Sequence, residues 1–556
     1  MHRVRARLHR SDIVTLSCAV AALVIGGLIY TTRRVMWIDE VLAFTIVTEK
    51  SWTALWTEAQ DIIGSVPLYY VLGHGWGMVF GYSEFSLRLM SMFFMVASMV
   101  LLWLKLRRYY SGLSTAIGVT SAYFLSSLIL YQNVEIRFYG VHIFVGSLML
   151  WAYDWVAQPA AAGKGAGKGT FVGVAKFGVL FGTSYAWAML HLYGMIFSGM
   201  ALLALCVVDL LQRRIRPLIY TAVPLSWVAF YFSWHTQLDT QQAVLRMHGW
   251  FAPRPNIMEL FLTASAYIHP IYLAILLMFV VATILEFTRQ GRVAQDDALA
   301  SPESQDEQDG RTRLVVFATL FAIVPMVVWV LCQLIAPAYV PRYMIPVIIG
   351  YAVVFTHLTE RSIVPKLALP GRALSGPLRK SLMVGYLAVL MVVPVLQAFV
   401  NPRMKDPSTS DASVGYAHLP AVFEHAHDFV PRAFYAGQKN RYYYVLDADI
   451  AVAKLNSGHA ANDYVILENL AKYHPELYNV VQVDKFLREH DEFLVFHRPD
   501  NPGYRWIEMR LMNRPDYTVQ QIGTTDSSAV YRVQRKRSDQ VHAVRLPAKL
   551  ESEERH

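Results

Sequence analysis

The sequence predicts a mainly α-helical fold: a polytopic membrane bundle of about 11 spans, followed by a small extracytoplasmic α/β domain. Three observations predict it. Apolar residues make up 55% of the 556 and the mean hydropathy is +0.33, more apolar than an average soluble chain. Charged residues are missing from long runs and gather in the short segments between them. After residue 400 the pattern changes to short strand-like and helix-like pieces.

The first expected span, 12–30, follows the basic stretch MHRVRARLHR. That order resembles a signal peptide, but no small-x-small cleavage site precedes Trp37, so a retained signal anchor is expected. Further spans are expected at 85–104, 113–131, 138–156, 171–190, 192–211, 217–235, 265–287, 314–336, 343–359 and 381–400. Each is close to the length that crosses the hydrocarbon core. Segment 67–80 (PLYYVLGHGWGMVF) is apolar but short, and suits an interfacial or re-entrant helix better than a span.

Basic residues orient the bundle. Segments 1–11, 105–112, 157–170, 212–216, 288–313 and 360–380 hold 21 Lys and Arg, whereas 31–66, 132–137, 236–264 and 337–342 hold 7. One threading satisfies both sets. It places the N-terminus in the cytoplasm and puts 31–84, Glu135, 236–264, Arg342 and everything after 400 outside. The expected location is therefore the plasma (inner) membrane, multi-pass. The net charge of +9 sits mainly at span ends, which points to topology and to no nucleic acid.

AAAGKGAGKG (160–169) lacks the first Gly and the Ser or Thr of a phosphate loop and is expected to be a flexible linker. The acidic segment 295–310 is expected to be unstructured. Cys18, Cys206 and Cys332 lie inside apolar runs with no metal-type spacing. The domain reading is 1–400 membrane module, 401–440 linker, 441–535 outer α/β domain and 536–556 charged tail.

The first outer loop opens with RRVMWIDE, placing Asp39 and Glu40 just past the first span. Ionisable groups at that depth are often functional; the plainer reading is an acidic pair balancing Arg33 and Arg34. The loop NVEIRFYG (133–140) holds Glu135 and Arg137 at the bundle mouth, and APAYVPRYM (336–344) fixes Arg342 and Tyr343 at the same level. His191 and Tyr193 sit at the turn between the fifth and sixth spans. Acids, guanidinium groups, a histidine and tyrosines thus meet in one plane from four loops. The chemistry this suits is displacement at a sugar carbon with a lipid phosphate leaving. A carboxylate takes the acceptor's proton and guanidinium groups neutralise the phosphate. A carboxylate pair could instead hold a divalent cation, with Asp39 and Glu135 as its ligands.

The order WIDE (37–40), SVPLYY (65–70), FGYSEFSLRLMS (80–91), EIRFYG (135–140), HLYG (191–194) and PRYMIP (341–346) resembles the GT-C superfamily of membrane glycosyltransferases. Within it the chain looks closest to the protein O-mannosyltransferase and aminoarabinose-transferase-like branch, over about residues 30–360. The resemblance implies an inverting transfer of a monosaccharide from a polyprenyl-phosphate donor to a glycan, lipid or protein hydroxyl on the outer face. By motif match it makes Asp39 the base with Glu40 beside it, Glu135 the second-loop acid and Arg342 the phosphate ligand. Tyr69, Tyr70, Arg137, Tyr139 and His191 become pocket candidates, with Tyr343 beside Arg342. No Lys follows Pro67, where the aminoarabinose branch carries a basic residue nearby, which leaves the sugar open.

Two other classes stand beside this reading: a transporter or lipid flippase, and a noncatalytic scaffold whose outer domain binds partners. Outside the constellation, Asp447 and Asp449 read as a helix start rather than a metal-binding pair. His418, Glu424, His425 and His427 lack the spacing of a metal site.

Overall fold

The computed structural model describes residues 9–62, 66–158, 166–248, 254–267, 302–335, 337–363, 368–369, 372–373, 376–400, 415–436, 441–451, 458–498, 505–525 and 528–536. Most of the expected span 265–287, with His269, lies outside the described residues. So do 160–165, 295–301, the first part of the expected linker and nearly all of the expected tail.

The membrane module runs α1 (Arg10–Arg33), α2 (Ile38–Val47), α3 (Trp52–Asp61), α4 (Pro67–Phe80), α5 (Glu84–Leu106), α6 (Gly112–Phe124), α7 (Ser127–Gln132) and α8 (Tyr139–Ala157). It continues with α9 (Ala166–Ala188), α10 (Tyr193–Leu211), α11 (Pro217–Tyr220), α12 (Ala222–His248), α13 (Ile257–Tyr267), α14 (Pro302–Ala322), α15 (Val324–Leu334), α16 (Val347–Leu358) and α17 (Gly376–Val400). Among the described residues, five helices are long and apolar enough to cross a membrane: α1, α5, α8, α10 and the run Glu307–Leu334. Helices also occupy the other described expected spans, with four departures. The span 314–336 begins early, at Pro302, so 302–310 of the acidic segment expected to be unstructured is helical, and it divides at Ile323 into α14 and α15.

The span 113–131 is broken into α6 and α7, where Ser126 caps the second piece by accepting the Ile129 N–H at 3.2 Å. The span 217–235 does not stop where expected; α12 continues to His248. Its extension docks on the first outer loop, where the Gln237 amide donates to the carbonyls of Ala59 (3.0 Å) and Ile62 (2.8 Å). The span 343–359 opens with a 3-10 turn at Pro341–Met344 before α16 begins. Segment 67–80 forms α4, whose 14 residues extend about 21 Å at 1.5 Å each. That is short of the roughly 30 Å core. Pro67 starts the helix and Gly81, at φ +85°, ends it.

The helices are tied at the end opposite the candidate site by buried Asp154 on α8. It takes Lys105 of α5 (2.5 Å), Arg313 of α14 (3.0 Å) and the Tyr109 hydroxyl (2.8 Å). Between the ends, small residues bring backbones together. A Cβ on Gly118 of α6 would lie 2.6 Å from the Thr356 backbone N of α16, and one on Gly140 of α8 would collide with the Ser91 carbonyl of α5.

The C-terminal domain is a six-stranded mixed sheet in the order β5-β4-β3-β6-β8-β7. Its strands are β3 (Ala421–Phe423), β4 (Tyr442–Leu446), β5 (Asn479–Gln482), β6 (Glu492–His497), β7 (Tyr517–Thr524) and β8 (Ala529–Arg535); β1 (Ala368–Leu369) and β2 (Arg372–Ala373) pair separately. The first four strands of the order run parallel, connected by α18 (Ala426–Ala436), α19 (Ala448–Ala451), α20 (Gly458–Tyr473) and α21 (Val483–Glu489). β3 and most of β4 and β6 are buried, as helix-covered parallel strands must be.

This corrects the expected linker 401–440. Ala421–Phe423 is a central strand of the sheet and Ala426–Ala436 is its first crossover helix, so the domain takes in residues before 441. A three-residue strand is too short to show a period of two. The Asp447 side chain accepts the Ile450 N–H at 3.4 Å and binds Arg510 at 2.6 Å, as a helix start with a paired charge. Glu424 meets His497 Nδ1 at 2.5 Å and accepts the Ile507 N–H at 2.6 Å.

Burial opposes protonation of His497, yet its bond to Glu424 holds the imidazole above its ordinary value, and burial pushes Glu424 up as well. The raised His497 value means stability fully present below about pH 6.5 that is lost as pH rises through its folded value. Melting of the full chain from about pH 5.5 to about pH 8.5, one unit below to two units above the ordinary imidazole value, is expected to fall with rising pH, and His497→Gln to flatten the trend. Separately, Gly118→Ala is expected to cost about 1–3 kcal/mol by forcing α6 from α16; an unchanged thermal unfolding curve in detergent would contradict that packing.

Candidate active site

Asp39 and Glu40 lie in the first turn of α2, where the helix dipole favours negative charge. Consecutive helical residues point about 100° apart, so the two acids enter different surroundings. Asp39 keeps 21% of its side chain exposed, whereas Glu40 is fully buried.

Asp39 faces two guanidinium groups. Its Oδ2 lies 3.1 Å from Arg342 Nη2 and 3.6 Å from Arg137 Nη2, and Arg137 Nη1 also reaches the Asp39 carbonyl at 3.5 Å. Arg342 comes from the 3-10 turn and Arg137 from the loop between α7 and α8, so three distant stretches of chain meet here. Arg342 stacks over Trp37 at 4.9 Å. The Nε groups of Arg137 and Arg342 and the Tyr139 hydroxyl are buried without a hydrogen-bond partner among the described residues. Buried donors in that state favour an acceptor that brings oxygen atoms.

Glu40 and Glu135 form a second, inner layer. Glu135 Oε1 lies 2.7 Å from Arg34 Nη2, which also approaches Glu40 at 3.7 Å. Arg88 of α5 meets Glu40 at 3.4 Å and Glu84 at 2.9 Å. Glu40 also accepts the Ile136 N–H at 3.0 Å, and the Ser91 hydroxyl donates to the Glu135 carbonyl at 2.5 Å. Burial, against the pull of Arg34 and with Glu40 nearby, pushes the Glu135 carboxyl up to about 7. The plainer reading of the acidic pair is therefore right for Glu40, which Arg34 balances. It fails for Asp39, and Arg33 turns away to the Ala398 and Phe399 carbonyls.

Aromatic rings wall the outer layer. His191 stacks on Phe138 (centroids 4.5 Å apart, 18° between planes), packs on Tyr343 at 4.5 Å, and accepts the Tyr193 N–H at 3.1 Å. Tyr69 and Tyr70 are buried edge to face at 5.7 Å. All ten candidates thus fall in or around the two layers, with Glu40 and Glu135 on the inner one.

The C-terminal sheet domain touches the same place. The Tyr435 hydroxyl of α18 accepts the Met36 N–H at 2.8 Å and donates to Glu84 at 3.1 Å. Beside it a cavity of about 330 Å³ is lined by Thr31, Thr32, Arg34, Glu84 and Tyr435. Arg88 and Tyr435 were not singled out from the sequence, and Arg34 entered only as a counter-charge to the acidic pair. Arg88 lay within the motif FGYSEFSLRLMS, but nothing local distinguishes a buried ion-pair Arg from a helix-end anchor.

The metal expectation fits poorly here. The oxygen atoms of Asp39 and Glu135 are met by guanidinium groups and the two acids sit in different layers, so no step is assigned to a cation at this place.

No family model matches the chain, and no curated protein matches it in sequence. In three dimensions it superposes on the crystal structure of ArnT from Cupriavidus metallidurans in the apo state, with TM-score 0.57 and 11% identity over 94% of this chain and 98% of that one. The chain shares the ArnT fold. ArnT, an aminoarabinose transferase, bound to undecaprenyl phosphate gives TM-score 0.56 and 11% identity over 94% and 97% of the two chains. The oligosaccharyltransferase AglB from Archaeoglobus fulgidus is more distant, with TM-score 0.38 and 12% identity over 86% and 69%. The likeness is one of fold, and the helices long and apolar enough to cross a membrane make this an integral membrane protein.

Arg34→Ala is expected to leave Glu135 buried without its counter-charge and to destabilise the protein by about 3–5 kcal/mol. Thermal unfolding of the purified variant measures this; a loss below about 1 kcal/mol would mean that water reaches the inner layer.

Proposed function

We propose that this protein is an inverting glycosyltransferase that moves a monosaccharide from a polyprenyl-phosphate donor to an acceptor hydroxyl on the outer face of the membrane. The carrying observation is the partly exposed Asp39 carboxylate held between Arg342 and Arg137 on an ArnT-like fold. ArnT itself has been captured with undecaprenyl phosphate, which supports a lipid-linked donor here. The charge bias of the connecting segments supports a cytoplasmic N-terminus and an outer sheet domain.

In this reading the donor phosphate enters beside Arg342 and Arg137, whose free Nε–H groups complete its coordination. Arg342, a third exposed, turns from Asp39 toward the phosphate. Asp39 loses one counter-charge and becomes freer to accept a proton. The acceptor hydroxyl gives that proton to Asp39, and its oxygen attacks the anomeric carbon from the side opposite the phosphate. The carbon–oxygen bond to the phosphate breaks, and the bonding pair leaves with the polyprenyl phosphate, whose added charge the guanidinium groups neutralise. Tyr69, Tyr70, Tyr139, His191 and Tyr343 shape the chamber, while Glu40 and Glu135 hold its floor.

A transporter would place ionisable groups along a path through the bilayer centre. The buried ion pairs described here gather instead at two levels near helix ends, around Glu40 and Asp154.

Asp39→Asn is expected to lower sugar transfer by about 10²–10⁴-fold while undecaprenyl phosphate still binds the purified protein in nanodiscs. Arg342→Ala is expected to weaken that binding about tenfold or more. Wild-type transfer by the first variant, measured by mass spectrometry of glycosylated acceptor in expressing membranes, would remove Asp39 from the reaction. Unchanged lipid binding by the second would remove the phosphate role.

A further inference from the structure

We propose that Glu49, Glu58 and His474 form a binding site for a divalent transition cation, best matched by Zn²⁺, which fastens the outer domain to the first outer loop. Its residues share no ion pair with Asp39 among the described residues, and the site does not depend on the reaction proposed above.

Glu58 belongs to α3, Glu49 to the turn between α2 and α3, and His474 follows α20 of the outer domain. His474 Nε2 lies 2.9 Å from Glu58 Oε1 and 3.8 Å from Glu49 Oε1, and the three ligating atoms all fall within 4.8 Å of one another. Tetrahedral Zn²⁺ with bonds near 2.1 Å holds its ligands about 3.4 Å apart, so the present separations bracket the required one.

A second observation is independent of that spacing. Glu58 is fully buried and its Oε2 has no hydrogen-bond partner among the described residues. An imidazole satisfies one oxygen only, whereas a cation satisfies the carboxylate as a whole. The buried Tyr478 hydroxyl likewise has no hydrogen-bond partner among the described residues.

The donor set selects the ion. Two carboxylates and one imidazole suit Zn²⁺ or its first-row neighbours better than Ca²⁺, which prefers six to eight oxygen ligands. Glu49 keeps 16% of its side chain exposed, which leaves an entry path and room for water as a fourth ligand. The two helices are already aligned beside it. Lys472 and the Tyr473 hydroxyl each reach Asp61 at 2.5 Å, and Asn469 donates to the Asp61 carbonyl at 2.7 Å.

The test uses the full chain in detergent, stripped with a chelator and titrated with ZnCl₂ against a chromophoric competitor. One equivalent of Zn²⁺ per chain is expected, with a higher melting temperature. Glu58→Gln and His474→Gln should each weaken binding about tenfold or more and abolish the melting shift; Asp61→Asn should leave binding intact. Glu49→Gln, at the exposed rim, serves the same purpose if a buried substitution prevents folding. Failure of the stripped chain to bind Zn²⁺, or equal binding by the ligand variants, would overturn the proposal.

Discussion

A carboxylate removed from water must be met by positive charge, and this requirement organises the outer end of the bundle. Glu40 and Glu135 are both completely buried. Each is reached only because Arg34 and Arg88 are buried with them, one from the end of the first long helix and the other from the start of the fifth. The paired charges fix how those helices and the loop before the eighth approach one another. The backbone around residue 136 is held by the same acid, through the Ile136 N–H. Arg137, the next residue, is thereby aimed at Asp39. The accessible layer inherits its geometry from the inaccessible one.

The C-terminal sheet domain is part of this arrangement. Tyr435 grips the chain at Met36, three residues before Asp39, and also holds Glu84, which pairs with Arg88. His474 and Asp61 join the domain to the first loop at a second place. A sheet domain anchored at two points against one loop leaves that loop little freedom. Conformational restriction of this kind is what keeps reacting groups within the narrow limits catalysis needs.

Much of this was legible from residue order. Apolar runs located the described membrane helices because a span must be long and uncharged. The meeting of Asp39 with Arg137 and Arg342 could be read because short loops between spans leave side chains few places to go. The division between Asp39 and Glu40 could not be read, since it depends on the rotation of a ten-residue helix and on which partners come from elsewhere. Arg88 and Tyr435 were hidden for a related reason: their partners are 48 and 399 residues away. The central strand Ala421–Phe423 escaped notice because its identity comes from two flanking parallel strands rather than from its own three side chains.

The adjacency of Asp39 and Glu40 has a consequence for how this stretch tolerates change. One acid is partly exposed between two guanidinium groups and its neighbour is sealed in the inner layer, and only the phase of one helical turn decides which is which. Adding or deleting a single residue between Arg34 and Ile38 would rotate the pair by about 100° and present the wrong carboxylate to each environment. Three residues separate Arg34 from Ile38, and their number sets which carboxylate meets the guanidinium pair and which is sealed away.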